Sequence, residues 1–67
     1  MKTELLRAEM QKRGLNQRKL AELADLPEAT LSRIINGERL CGVRIAAKIV
    51  NAMKLKPKIA TEIFFED

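Results

Sequence analysis

The side chains that could do chemistry are few in kind, and the missing ones narrow the field first. The 67-residue chain has no histidine, tryptophan or tyrosine and a single cysteine, Cys41. One thiol forms no internal disulfide, which fits a reducing compartment. Without histidines or further thiols it builds no zinc site. The carboxylates are scattered, and neither a nucleophile elbow nor a phosphate-cradling loop occurs. The sequence therefore points to no enzyme, no metal and no cofactor. Cys41 reads as a small, half-buried loop residue. A redox role would need neighbours that lower its pKa, and only Arg39 and Arg44 are near in sequence.

Positive charge is what the chain has in quantity, with 13 Lys and Arg against 9 Asp and Glu. Glu62, Glu66 and Asp67 all fall at the end, so up to Thr61 the balance is 13 basic to 6 acidic residues. A basic body of this kind suits a polyanionic partner, with nucleic acid ahead of a membrane surface, although basic faces also serve solubility alone. The start has no signal-peptide pattern and no stretch approaches membrane length. The expectation is a cytoplasmic protein with no membrane partner. A chain this short reads as one domain, residues 1–67, with a thin core that asks for efficient helix packing, a partner subunit, or both.

The elements that position these charges are helical. Apolar residues recur at three and four, strand-like alternation is absent, and Gly14, Pro27, Gly37, Gly42 and Pro57 punctuate the chain. The first helix is expected over about Thr3 to Arg13, with Thr3 as N-cap, Leu6 and Met10 inward, and Gly14 supplying a left-handed stop. The second opens on the cap Asn16 and ends near Ala24, burying Leu20, Leu23 and Ala24, with Ala21 on the same side. Asp25-Leu26-Pro27 makes a tight turn. The third helix runs from about Pro27 to Ile35. Leu31, Ile34 and Ile35 face inward, Glu28, Ala29, Ser32 and Arg33 face outward, and Asn36-Gly37 closes it. A fourth helix spans about Val43 to Lys54, with Ile45, Ile49, Val50 and Met53 inward. A fifth spans Lys58 to about Glu66. The fold class is all-α, a compact five-helix domain.

The informative stretch is Gln17 to Gly37. A turn of about three or four residues is too short for antiparallel packing, so the two helices must cross steeply, as in a helix-turn-helix. Such a crossing needs a small residue where the backbones approach, and Ala21 stands there.

The runs Asn16-Gln17-Arg18-Lys19-Leu20-Ala21-Glu22-Leu23-Ala24 and Ala29-Thr30-Leu31-Ser32-Arg33-Ile34-Ile35-Asn36-Gly37 resemble the Cro and phage-repressor (Xre-like) helix-turn-helix family. The resemblance covers about Leu5 to Leu55, places the helix-turn-helix at residues 17–36, and implies a lambda-repressor-like fold that binds double-stranded DNA. Asp25 stands where many members carry glycine, and aspartate tolerates that backbone better than most residues. Met10 and Ile35 occupy the positions of an Arg–Glu pair common in lambdoid repressors. An apolar contact replaces such a pair without loss of stability.

The resemblance makes Pro27–Ile35 the recognition helix, whose outward residues meet base edges in the major groove. Arg33 can donate two hydrogen bonds to guanine, the alternative being a phosphate or solvent contact. Glu28 either accepts from a cytosine amine or merely favours the helix N-terminus and repels phosphate. Ala29 is small enough to meet a thymine methyl, and Ser32 is an adaptable contact. Gln17 and Arg18 at the start of the second helix, Asn36 and Arg39 after the third, and Arg44 at the start of the fourth are the phosphate contacts. Lys2, Lys48, Lys54, Lys56 and Lys58 read as solvated surface.

Ile59, Ile63, Phe64 and Phe65 make an unusually apolar end. They close the core or, in part, form a weak two-fold contact, since relatives bind paired half-sites of an inverted repeat about one DNA turn apart. Two functions stay in view. One is a transcriptional regulator of a phage, prophage or mobile element. The other is an antitoxin- or antirepressor-type protein-interaction module. No small-molecule ligand is expected.

Overall fold

Four of the five helices stop by the same device. The computed structural model describes residues 1–65 and contains α1 (Thr3–Lys12), α2 (Gln17–Ala24), α3 (Glu28–Ile35), α4 (Val43–Met53) and α5 (Pro57–Phe64). After α1, the amide of Leu15 donates to the carbonyl of Met10 at 2.9 Å and that of Gly14 to Gln11 at 3.1 Å. The same pair of bonds closes α2 (Leu26 to Ala21, Asp25 to Glu22), α3 (Glu38 to Arg33, Gly37 to Ile34) and α4 (Leu55 to Val50, Lys54 to Asn51). Each is a Schellman stop, and each needs one left-handed residue. Glycine fills that place twice, Gly14 at φ 65° and Gly37 at φ 76°, while Asp25 at φ 56° and Lys54 at φ 53° fill it without glycine's freedom. Asp25 thus takes the left-handed turn expected of it. Lys54 does not continue α4 but reverses the chain out of it.

Other expected boundaries shift for local reasons. The amide of Lys2 donates to the carbonyl of Ile63 at 2.8 Å, holding Lys2 extended. Lys2 rather than Thr3 is therefore the N-cap of α1, and Thr3 is its first helical residue. Pro27, with ψ 137°, caps α3 from outside instead of opening it. Pro57 is the first residue of α5, one earlier than expected, where its missing N–H costs no hydrogen bond. The expected end of this helix near Glu66, and the acidic residues Glu66 and Asp67, lie outside the described residues.

The core is shared by all five helices. Leu6 and Met10 of α1, Leu20 and Ala21 of α2, Leu31 and Ile35 of α3, Ile49 and Met53 of α4 and Ile63 of α5 form one buried cluster. Met10 and Ile35 belong to it together, so apolar packing stands where an ion pair was the alternative. Leu23 departs from expectation and is 50% exposed. At about 100° per residue, the buried face of α2 is centred on Leu20, Ala21 and Ala24, which leaves Leu23 off its edge. On α4, Ala46 is buried and was missed, while Ile45 and Val50 are half-buried.

One carboxylate enters this interior. Glu9 is 8% exposed and pairs with Arg13 at 2.6 Å and Lys12 at 3.1 Å. Arg13 follows α1 as its C-cap. Its guanidinium bridges α1 to α4, donating through Nε to the carbonyl of Met53 at 2.9 Å. The Arg13 bond first, and the Lys12 bond second, hold the Glu9 carboxyl below the usual carboxylate range.

Candidate nucleic-acid interface

The site begins with the turn that orients α3. Residues 25–27 join α2 to α3, and Ala21 and Leu20 on one helix, with Leu31 and Ile34 on the other, are all buried. The amide of Leu26 returns to the carbonyl of Ala21 at 2.9 Å. Lys48 of α4 donates through Nζ to the carbonyl of Asp25 at 3.4 Å, so it supports the turn instead of only meeting solvent.

With Leu31, Ile34 and Ile35 buried, the opposite face of α3 is left free. Glu28, Ala29 and Arg33 are exposed and Ser32 is half-buried. Glu28 lies in the first turn, where the helix dipole favours a carboxylate.

At the start of α2, Asn16 Oδ1 accepts from the amide of Lys19 at 2.8 Å. This cap uses the third amide and leaves those of Gln17 and Arg18 for an outside acceptor. Gln17 is half-buried, while Arg18, Asn36, Arg39 and Arg44 are exposed. Arg39 lies in the loop after α3, and Arg44 in the first turn of α4, whose N-cap, Gly42, supplies no side chain. None of the nine residues expected to meet DNA is buried.

The structure brings two of the nine together and adds one that the sequence did not reveal. Asn36 Nδ2 donates to Ser32 Oγ at 3.5 Å. Arg7 of α1 donates to Asn36 Oδ1 at 3.2 Å and to the carbonyl of Ile35 at 3.5 Å. A cation at the C-terminus of α3 also suits its dipole. Arg7 and Asn36 are 29 residues apart, and nothing in the local pattern of α1 names that partner. Among the described residues, no hydrogen bond joins Gln17, Arg18, Arg39 or Arg44 to the α3 set.

The remaining assigned residues divide by burial. Ile63 is buried in the core, Ile59 and Phe64 are half-buried, and Phe65 is 63% exposed. Any two-fold contact at this end therefore draws mainly on Phe64 and Phe65, whose ring centroids are 6.4 Å apart. Cys41 is half-buried as expected, and burial pushes its thiol up, away from the reactive thiolate. Among the described residues no cluster of His, Cys, Asp or Glu is placed to hold a metal ion, and no helix is long and apolar enough to cross a membrane.

No curated protein and no solved structure gives a significant match to the chain. The family model for helix-turn-helix domains matches residues 6–59, a span that takes in most of α1, all of α2 to α4 with the turn at 25–27, and the start of α5. With this match over most of its length and its all-helical architecture, the chain belongs to the Cro/C1-type helix-turn-helix family of DNA-binding regulators.

Proposed function

We propose that this protein is a sequence-specific transcriptional regulator that reads double-stranded DNA with α3. It is a Cro- or repressor-like protein of a phage, prophage or mobile element that acts by occluding a promoter. The observation that carries this reading is the division of α3. Three apolar residues anchor it in the core, while Glu28, Ala29 and Arg33 stand exposed on the other side with Ser32 between them. A helix held this way fits the major groove, and Arg33 supplies the bidentate donor that selects guanine. Gln17, Arg18, Asn36, Arg39 and Arg44 flank the helix and clamp the phosphates, which gives affinity without choice of sequence.

The protein acts as a weak homodimer on an inverted repeat, with Phe64 and Phe65 at the two-fold contact. Support comes from the exposed ring of Phe65 on an otherwise basic body. A second reading, a module that binds another protein, is favoured by Leu40 and Val43, which are 93% and 75% exposed beside the loop after α3.

Selection of bound duplexes from a random DNA pool, with wild type and Arg33→Ala in parallel, separates the two. The expected result is an inverted-repeat motif that the variant relaxes at one position per half-site. Recovery of no motif at either low or moderate salt overturns the sequence-reading function in favour of the protein-interaction module.

A further inference from the structure

Three side chains, one on α1, one on α3 and one at the C-cap of α3, form a chain of hydrogen bonds that ends on the exposed face of α3. Arg7 donates to Asn36 Oδ1 at 3.2 Å, and Asn36 Nδ2 donates to Ser32 Oγ at 3.5 Å. The direction of every bond is fixed from the Arg7 end. A guanidinium has five donors and no acceptor, so the oxygen of the Asn36 amide must face it. The NH₂ group of Asn36 therefore faces Ser32, and the serine oxygen is an acceptor within the protein. Its hydrogen and its second lone pair are left over, and accepting from Asn36 polarises the hydroxyl toward donating. Thr61 returns its hydroxyl to the carbonyl one turn earlier, that of Pro57, at 2.9 Å. Among the described residues Ser32 makes no such bond.

We infer that Arg7 and Asn36 are positioning residues that bias Ser32 toward donating its hydroxyl hydrogen, so that Ser32 favours a base presenting an acceptor, such as guanine, at its place in the half-site. The inference rests on the reading of α3 as the helix that enters the major groove. A serine alone is indifferent, because its hydroxyl donates or accepts equally well. With the relay behind it, the polarised hydroxyl donates more strongly, which favours guanine, whose major-groove edge carries only acceptors, over cytosine, whose edge offers a donor. Asn36 keeps its second amide hydrogen for a phosphate, so its clamping role is compatible with the relay.

Asn36→Asp gives the sharpest test. The carboxylate still accepts from Arg7, but it offers Ser32 an acceptor in place of a donor. The serine hydrogen then turns inward, and the outward lone pairs accept from cytosine or adenine amines. Binding of duplexes carrying each of the four base pairs at each position of the selected half-site is measured by fluorescence anisotropy at fixed salt. The proteins are wild type, Ser32→Ala, Arg7→Met, Arg7→Lys, Asn36→Asp and the Ser32→Ala/Arg7→Met double variant. Ser32→Ala and Arg7→Met are each expected to flatten preference at one shared position by about two- to tenfold, the worth of one neutral hydrogen bond. The double variant should flatten it no further, because the two residues act as one unit. Arg7→Lys keeps a donor-only group and should retain the preference. Asn36→Asp should move the preference to a base with an exposed amine, on top of a uniform loss from its added negative charge.

A uniform loss alone in Asn36→Asp, with the same base preferred as in wild type, overturns the relay while leaving the sequence-reading function intact. Failure of the wild type to select any motif overturns that function and the relay together. If Arg7→Met does not fold, Asn36→Asp, which retains Arg7, decides the question.

Discussion

Arg33 and Arg39 carry the same charge and are both exposed, yet the proposed interface gives them different work. Replacing either by alanine removes one positive charge from a chain of net charge +4. A difference between the two variants therefore cannot come from net charge and must come from position. Arg18, Arg39 and Arg44 are the three cationic phosphate contacts proposed for one half-site. At about −0.9 in the slope of log affinity against log salt for each, they give about −2.7 per half-site and about −5.4 for a bound dimer. Between about 50 and 200 mM salt the dimer should lose on the order of a thousandfold in affinity. Arg39→Ala should make the slope shallower by about 0.9 per half-site and leave the preferred sequence unchanged. Arg33→Ala should do the reverse. It should lose about 1–3 kcal/mol of discrimination at one base pair, about five- to 150-fold, with little change in slope. Anisotropy titrations on the selected operator and on its single-base variants, across a salt series, measure both quantities. If Arg33→Ala reduces the slope as much as Arg39→Ala and keeps every base preference, Arg33 is a phosphate contact and the assignment of α3 residues to base reading fails.

Two further predictions concern the scaffold. Lys54 holds φ 53° at the stop of α4, so Lys54→Gly should stabilise the protein by about 0.5–1 kcal/mol and raise Tm by a few degrees in a thermal melt. A Tm unchanged or lowered would mean that the left-handed backbone at Lys54 carries no strain to relieve. Glu9 has a carboxyl held below its ordinary range by Arg13 and Lys12. Its contribution to stability is therefore complete above the unfolded carboxylate pKa and is lost as pH falls through the lowered folded value. Glu9→Gln should melt below wild type near neutral pH and converge with it in acid, and a gap that is independent of pH would refute the linkage.

Much of this was legible in the sequence because it rests on local rules. Gly14 and Gly37 announce left-handed stops, Asn16 announces a cap, and Ala21 fits the close crossing of α2 and α3. Leu20, Leu31, Ile34 and Ile49 are buried as their spacing requires. The misses divide between tertiary contact and local ambiguity. Thr3 lost the cap because Ile63, far along the chain, holds the Lys2 amide. Lys54 looked like one more helical lysine because nothing in its chemistry advertises a positive φ. Leu23 lies at the rim of its helix face, where spacing alone does not settle burial. Arg7 was invisible because its partners come from the end of α3. Glu9 was the readable exception: two cations follow it at the three- and four-residue spacing of a helix, the pattern of a paired carboxylate.

The division of α3 also bears on how such a protein changes its target. Leu31, Ile34 and Ile35 hold the helix, and Glu28, Ala29 and Arg33 contribute nothing to the core. Exposed substitutions away from caps and networks usually alter stability by no more than about 0.5 kcal/mol. On the proposed reading of α3, these three positions are therefore free to change the bases read while the fold stays as it is. Ser32 is different. Its oxygen is tied through Asn36 to Arg7 on another helix, so a new side chain there removes the Asn36 amide's acceptor and with it the link from Arg7 to the exposed face of α3. On the proposed relay, the effect of a change at Ser32 thus depends on Asn36 and Arg7, whereas that of a change at Arg33 does not. Of the four reading positions, Ser32 should be the one whose substitutions couple in double-mutant cycles to residues outside α3.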